Sequence, residues 1–147
     1  MPLLRLAGRI CPETELHSNA NCFDARAIEN YQQALDNYPQ EEAEKGDFQY
    51  HLGEAQYKSG DKINGKQNLI DGIKLIEKYQ DGTDSFLIHV WTSGGYMRKA
   101  ECLYSDFPNE SQQAFIKAKD IINSDDRLVI RKRQLIEIEE KLKTHHP

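Results

Sequence analysis

Apolar residues along this 147-residue chain recur at helical spacing. Sustained apolar–polar alternation is absent and β-branched residues are scattered, so no strands are expected. Asp24 precedes a run of helix formers from Ala25 to Asn37, which Tyr38–Pro39 stops. A second helix is expected from about Ala43 or Asp47 to Lys58, closed by the tight turn Ser59–Gly60–Asp61. A third runs from about Lys62 to Tyr79 and ends at Asp81–Gly82. Thr83 or Asp84 can cap a fourth, which reaches about Tyr104. Pro108 then suits a first helical turn, and a fifth helix follows to about Asn123. Ser124 can cap a sixth, with Asp125 and Asp126 near its positive end and Leu128, Leu135, Ile138 and Leu142 along one stripe.

Residues 1–23 read differently. Cys11–Pro12, Ser18, Asn19 and Asn21 mark an irregular segment, with one short helix expected from Leu3, Leu6, Ala7 and Ile10. The helix after Asp24 carries Ala27, Ile28, Tyr31, Ala34 and Leu35 on more than one side. One side needs a cover, because exposed apolar patches of this kind usually meet something. The first ten residues are the local cover, and a second copy of the chain in a homodimer is the alternative.

The helical hairpins repeat. Ala27, Tyr31 and Ala34 stand at spacing i, i+4, i+7; so do Gly65, Leu69 and Gly72, and Ser111, Phe115 and Ala118. Each triplet is small, large apolar, small. Small residues let two helices approach, and the large one fills the gap between them. The preceding helices also align: Gly53–Glu54–Ala55–Gln56–Tyr57 matches Ala100–Glu101–Cys102–Leu103–Tyr104.

These residues, over 24–123, resemble the tetratricopeptide repeat (TPR) family. Leu52–Gly53 through Tyr57 to Gly60–Asp61 looks like the end of a first helix and its turn, and Ala27 through Ala34 to Pro39 looks like a second helix. The resemblance implies an all-α, right-handed superhelical stack of antiparallel helix hairpins over residues 24–147, with the last helix as a C-terminal cap. The spacing departs from the family. Tyr31 to Leu69 is 38 residues and Leu69 to Phe115 is 46, against a typical repeat of about 34.

In the family the first helices line a concave groove that holds a peptide. The resemblance therefore implies a protein or peptide partner, with Tyr50, His51, Glu54, Tyr57, Met97, Arg98, Glu101 and Tyr104 as the partner-binding residues. Asp47, Lys58 and Gly94 belong to the same face. One family subtype clamps a terminal carboxylate with Lys, Asn and Arg. Tyr50, His51 and Glu54 stand at the matching positions, so that chemistry is not implied.

Composition narrows the alternatives. The net charge is −5, which argues against nucleic acid as the partner, since phosphate binding needs a surplus of Lys and Arg. The basic run from Arg127 to Arg133 is the place where a nucleic-acid-binding helical domain would carry its contacts. Leu3, Leu4 and Leu6 are interrupted by Arg5 and Arg9, too short for a signal-peptide core, and no stretch suits a membrane span. A cytoplasmic location is the expectation. Three cysteines with no paired spacing argue against a disulfide framework, and Cys11, His17 and Cys22 match no closed zinc pattern. Gly94–Gly95 lacks the Lys–Ser/Thr of a phosphate loop, and either loosens the fourth helix or admits a close neighbour. No catalytic constellation and no cofactor motif stands out. The expectation is a binding module, with a helical enzyme domain as the rival.

Overall fold

The computed structural model describes residues 3–6, 9–12, 21–37, 42–80 and 85–144. Its body is all-α. The helices are α1 (Asn21–Asn37), α2 (Glu42–Ser59), α3 (Lys62–Glu77), α4 (Ser85–Leu103), α5 (Pro108–Ser124) and α6 (Val129–Thr144). Each lies within a few residues of its expected place. The largest shifts are at α1, which begins before Asp24, and at α6, which begins after Leu128.

The short N-terminal helix is corrected to a hairpin. Strand β1 (Leu3–Leu6) pairs antiparallel with β2 (Arg9–Pro12), with Leu3 opposite Pro12 and Leu6 opposite Arg9. A short run with few apolar residues satisfies both helical and strand periods, so spacing alone does not separate them. Only two residues part the strands, the length of the tightest hairpin connection. Strand β1 lies against α1, the helix the sequence leaves in need of a cover.

The tightest unit is the α2–α3 pair. Gly46 and Gly53 on α2 face Gly72 and Gly65 on α3, and backbones meet there without side chains between them. The turn joining them closes on Gly60, whose φ of 110° is left-handed. Gly60 N–H bonds to Tyr57 O at 3.2 Å and Asp61 N–H to Gln56 O at 2.9 Å, the paired closure of a Schellman motif. Asp61 then caps α3, its carboxylate accepting from Asn64 N–H. Ser59–Gly60–Asp61 thus stops one helix and starts the next.

The second hairpin, α4–α5, repeats the device with larger residues. Ala100 and Ser111 occupy the places of Gly53 and Gly65, and Ser111 Oγ donates to Ala100 O at 2.6 Å. The aligned tyrosines also act alike. Tyr57 donates its hydroxyl to Asp106 beyond α4, and Tyr104 donates to Leu142 O of α6 at 3.0 Å. Tyr57 thus ties α2 to the turn after α4, and Tyr104 ties that turn to α6.

Helix α4 is the centre of the fold. It packs on α2, α3, α5 and α6, and every residue from Thr92 to Met97 is buried. Its own Ile88 and Leu103, and Tyr50, Leu69, Ile76 and Ile122 around it, are fully enclosed, each large apolar side chain contributing about 1.5–3 kcal/mol. Trp91 packs partly buried against this core. Leu52, Gly53, Leu69, Gly72, Phe115 and Ala118 are buried as the repeat pattern requires, while Ala34 is partly so. Ser124 does not cap α6. It ends α5, donating to Ile121 O, and Asp125 organises the turn instead. The Asp125 carboxylate accepts from the Arg127 side chain and backbone, and pairs with His89 Nδ1 at 2.9 Å.

Candidate functional site

Helices α2, α4 and α6 lie side by side, α2 against α4 and α4 against α6. Their shared face carries two adjoining clefts. One, of about 210 Å³, is bounded by Glu54, Met97, Arg98, Glu101, Glu137 and Ile138. The other, of about 570 Å³, lies between Tyr57, Lys58, Glu101, Cys102, Tyr104 and Lys141. Glu101 belongs to both, so the clefts form one strip.

The floor of the strip is built from behind by aromatic and apolar residues among those expected to bind a partner. Tyr50, Tyr57 and Met97 are buried, and only Tyr104 is half-exposed. These side chains pack between helices because each faces another helix before it reaches solvent. Tyr50 is the extreme case. Its ring takes part of the space that a side chain at Gly95 would need, and its hydroxyl part of the space at Gly94. The glycine pair therefore admits close neighbours: the Arg131 guanidinium and the Tyr50 hydroxyl at Gly94, and Ile73 and the Tyr50 ring at Gly95. Burial, then the nearby Asp47 carboxylate, push its hydroxyl well above the ordinary tyrosine value.

Charge lies above this floor. Arg98 Nε is 3.5 Å from Glu54 Oε1, and Arg98 Nη1 donates to Gly94 O at 3.2 Å. Lys58 Nζ is 3.5 Å from Glu54 and 3.8 Å from Glu101, and Lys141 Nζ is 2.9 Å from Glu101. Burial alone would raise the Glu101 carboxyl. The Lys141 hydrogen bond and the charges of Lys58, Lys141 and Arg98 outweigh it and hold Glu101 below its ordinary value. The same pairs act in reverse on Lys58, where Glu54 and Glu101 outweigh burial and raise it. The strip is a ladder of alternating sign, with Arg98 at its middle. Arg98 Nε is itself shut off from solvent without a hydrogen-bond acceptor, an open requirement of the kind that calls for an explanation.

His51 sits at the α1 end. Its ring stacks on Tyr50 at 4.7 Å and lies 5.4 Å from Tyr31, while Nδ1 is 2.7 Å from Asp47 O. Burial, then Arg98, lower its pKa against the opposing pull of Asp47 and Glu54.

Of the expected residues, Glu54, Met97, Arg98 and Glu101 meet in the smaller cleft, and Tyr57, Glu101 and Tyr104 in the larger. Tyr50 and His51 stand behind and beside it. The contribution of α6 is absent from the sequence reading. Gln134, Glu137, Ile138 and Lys141 complete the strip, yet the stripe of Leu135, Ile138 and Leu142 marks α6 only as a helix that covers the end of the stack.

The basic run is largely turned to structural use. Arg131 donates to Val90 O at 3.2 and 3.0 Å and to Gln134 at 2.7 Å, Arg127 is held by Asp125 and Ser85, and Lys132 lies 3.5 Å from Asp126. Among the described residues no group of three or more His, Cys, Asp or Glu is placed to hold a metal. The side chains of Cys11, His17 and Cys22, and His145–His146, lie outside the described residues, as do the expected cap Thr83 or Asp84 and the stops at Tyr38–Pro39 and Asp81–Gly82. No described helix is long and apolar enough to cross a membrane. No protein-family model, curated protein or solved structure matches this chain.

Proposed function

We propose that the chain is a TPR-like protein-interaction module that binds an extended or helical peptide along the strip formed by α2, α4 and α6. The observation that carries this reading is the side-by-side placement of those helices, with α3 and α5 on the other side. That is the order in which TPR-like hairpins stack to leave first helices lining a groove. The corresponding contacts of Tyr57 and Tyr104, and of Gly53–Gly65 and Ala100–Ser111, support a repeated unit.

The strip suits recognition by charge and hydrogen bonding more than by apolar burial. Glu54, Arg98, Glu101, Glu137 and Lys141 offer both signs within a short span, and the paired members can exchange an internal partner for a ligand's. Such complementarity sets specificity and orientation. The enzyme alternative has less support, because the perturbed groups of the strip are held by one another rather than aimed at a common empty point. The nucleic-acid alternative is weakened by the internal use of Arg127 and Arg131.

A displayed random-peptide library selected against the immobilised chain tests the proposal. Enriched peptides that compete with one another, and that lose binding on Arg98→Gln, support it. Enrichment of no sequence, or of peptides indifferent to every change on α2, α4 and α6, contradicts it.

A further inference from the structure

The strongest feature outside the strip lies on the opposite side of α4. Arg98 and Glu101 point toward the strip, whereas Tyr96 and Lys99 point toward α3 and α5, as about 100° of rotation per residue requires. There a cavity of about 420 Å³ opens between α3, α4 and α5, a volume typical of small-ligand sites. Ile73, Ala114 and the Tyr96 ring form its floor, and Lys74, Lys99 and Lys117 line it.

The lysines are the unusual part. Elsewhere most described lysines have a carboxylate within ion-pair distance: Lys45, Lys58, Lys62, Lys66, Lys132, Lys141 and Lys143 all do. Among the described residues Lys74, Lys99 and Lys117 have none, nor do the exposed Lys78 and Lys119, and only the first three converge on one cavity, where Glu77 and Glu110 also lie. Those two carboxylates are engaged otherwise. Glu77 accepts the Tyr96 hydroxyl at 3.0 Å, and Glu110 holds Lys66 at 3.0 Å. Lys117 lies over the Tyr96 ring, 5.5 Å from its centre. Lys99 is the half-buried member of the trio. Burial lowers its pKa first, and Lys66 and Lys117 add to that against the pull of Glu110 and Glu77. Glu77 and Glu110 offset that only in part, since neither is within ion-pair distance of Lys99, and a bound anion supplies a direct partner.

We propose that this cavity binds a small organic phosphate, its phosphoryl oxygens accepting from Lys99, Lys117 and Lys74 and its apolar body lying on Ile73, Ala114 and the Tyr96 ring. A dianion suits three ammonium groups better than a monocarboxylate does, and the apolar floor has no use for a bare phosphate ion. The site is independent of the peptide strip.

The test is a titration of the full chain with phenyl phosphate at low ionic strength and pH 8, followed by NMR at the lysine Cε–Hε groups. Inorganic phosphate, benzoate and benzyl alcohol serve as comparison probes. The expected result is saturable binding of phenyl phosphate that shifts Lys99 and Lys117, with all three comparison probes weaker. Lys99→Gln should lower the affinity roughly tenfold. Lys117→Gln, at an exposed position, should do the same without risk to folding. Shifts spread evenly over surface lysines such as Lys45 and Lys143, or affinity unchanged in both variants, overturn the site. Benzoate binding as tightly as phenyl phosphate overturns its assignment to phosphate.

Discussion

Gly53 and Gly65 meet backbone to backbone: a methyl group on Gly53 would stand 2.6 Å from the Gly65 carbonyl oxygen, and one on Gly65 2.5 Å from the Tyr57 amide nitrogen. Real side-chain carbons do not come that close to backbone, so α2 and α3 would have to part. Alanine is the better helix former by up to ~1 kcal/mol. Overpacking costs roughly 1–3 kcal/mol, and here the obstacle is main chain, which cannot swing aside. Gly53→Ala and Gly65→Ala should therefore each destabilise the fold by about 1–2 kcal/mol in urea unfolding. A variant as stable as the parent would show that the helices do not touch there.

Tyr50 gives a second prediction, because its ring and its hydroxyl have different roles. The ring packs against Gly95, whereas the buried hydroxyl, beside Gly94, makes no close hydrogen bond. Tyr50→Phe should change stability by less than about 0.5 kcal/mol, and Tyr50→Ala should cost about 3–5 kcal/mol. Thermal unfolding of the two variants checks this. Equal and large losses would mean that the hydroxyl holds the core together.

The helices and the pairing of hairpins were legible in the sequence, and the reason is local. Gly60–Asp61 both stops and starts a helix, and the small–large–small triplets fall on buried contact faces at Gly65–Leu69–Gly72 and Ser111–Phe115–Ala118. The site was legible by face but not by depth. A tyrosine on a first helix can point at solvent or at the next helix with the same spacing, and only the glycine pair at 94 and 95, read with Tyr50, distinguishes the two. The hairpin at Leu3–Leu6 and Arg9–Pro12 was missed because a short run fits either period. The lysine-lined cavity was invisible for another reason: Lys74, Lys99 and Lys117 come from three helices with no shared motif.

Cys102 should be a slow thiol. Burial, then the Glu54 carboxylate, push it up to about 12, and the thiolate is the reactive form. At pH 8 in the folded chain, its alkylation by iodoacetamide should run orders of magnitude slower than for an unfolded peptide thiol. Mass spectrometry over a time course reads this, and labelling at the peptide rate would contradict the burial.

Acid should act on the turn between α5 and α6. The Asp125 carboxyl is held well below the usual carboxylate range by hydrogen bonds from Arg127 first and His89 second. A depressed folded-state pKa gives stability that is present above the unfolded value of about 3.9 and is lost as pH falls through the folded value. Asp125→Asn should be less stable than the parent at pH 7, and the gap should narrow as pH drops below about 4. A gap that stays constant from pH 7 to pH 2 would show that the charge of Asp125 plays no part.

The groove itself is tested most directly by fluorescence anisotropy of a library-selected, labelled peptide against four folded proteins: the parent, Arg98→Gln, Glu101→Gln and the opposite-face variant Lys99→Gln. Circular dichroism first establishes that all four are equally helical. The expected result is a roughly tenfold weaker affinity for Arg98→Gln and Glu101→Gln, as for loss of a charged hydrogen bond, with Lys99→Gln unchanged. Equal affinity for the parent, Arg98→Gln and Glu101→Gln, with loss only in Lys99→Gln, would place the peptide on the other side of α4 and contradict the account.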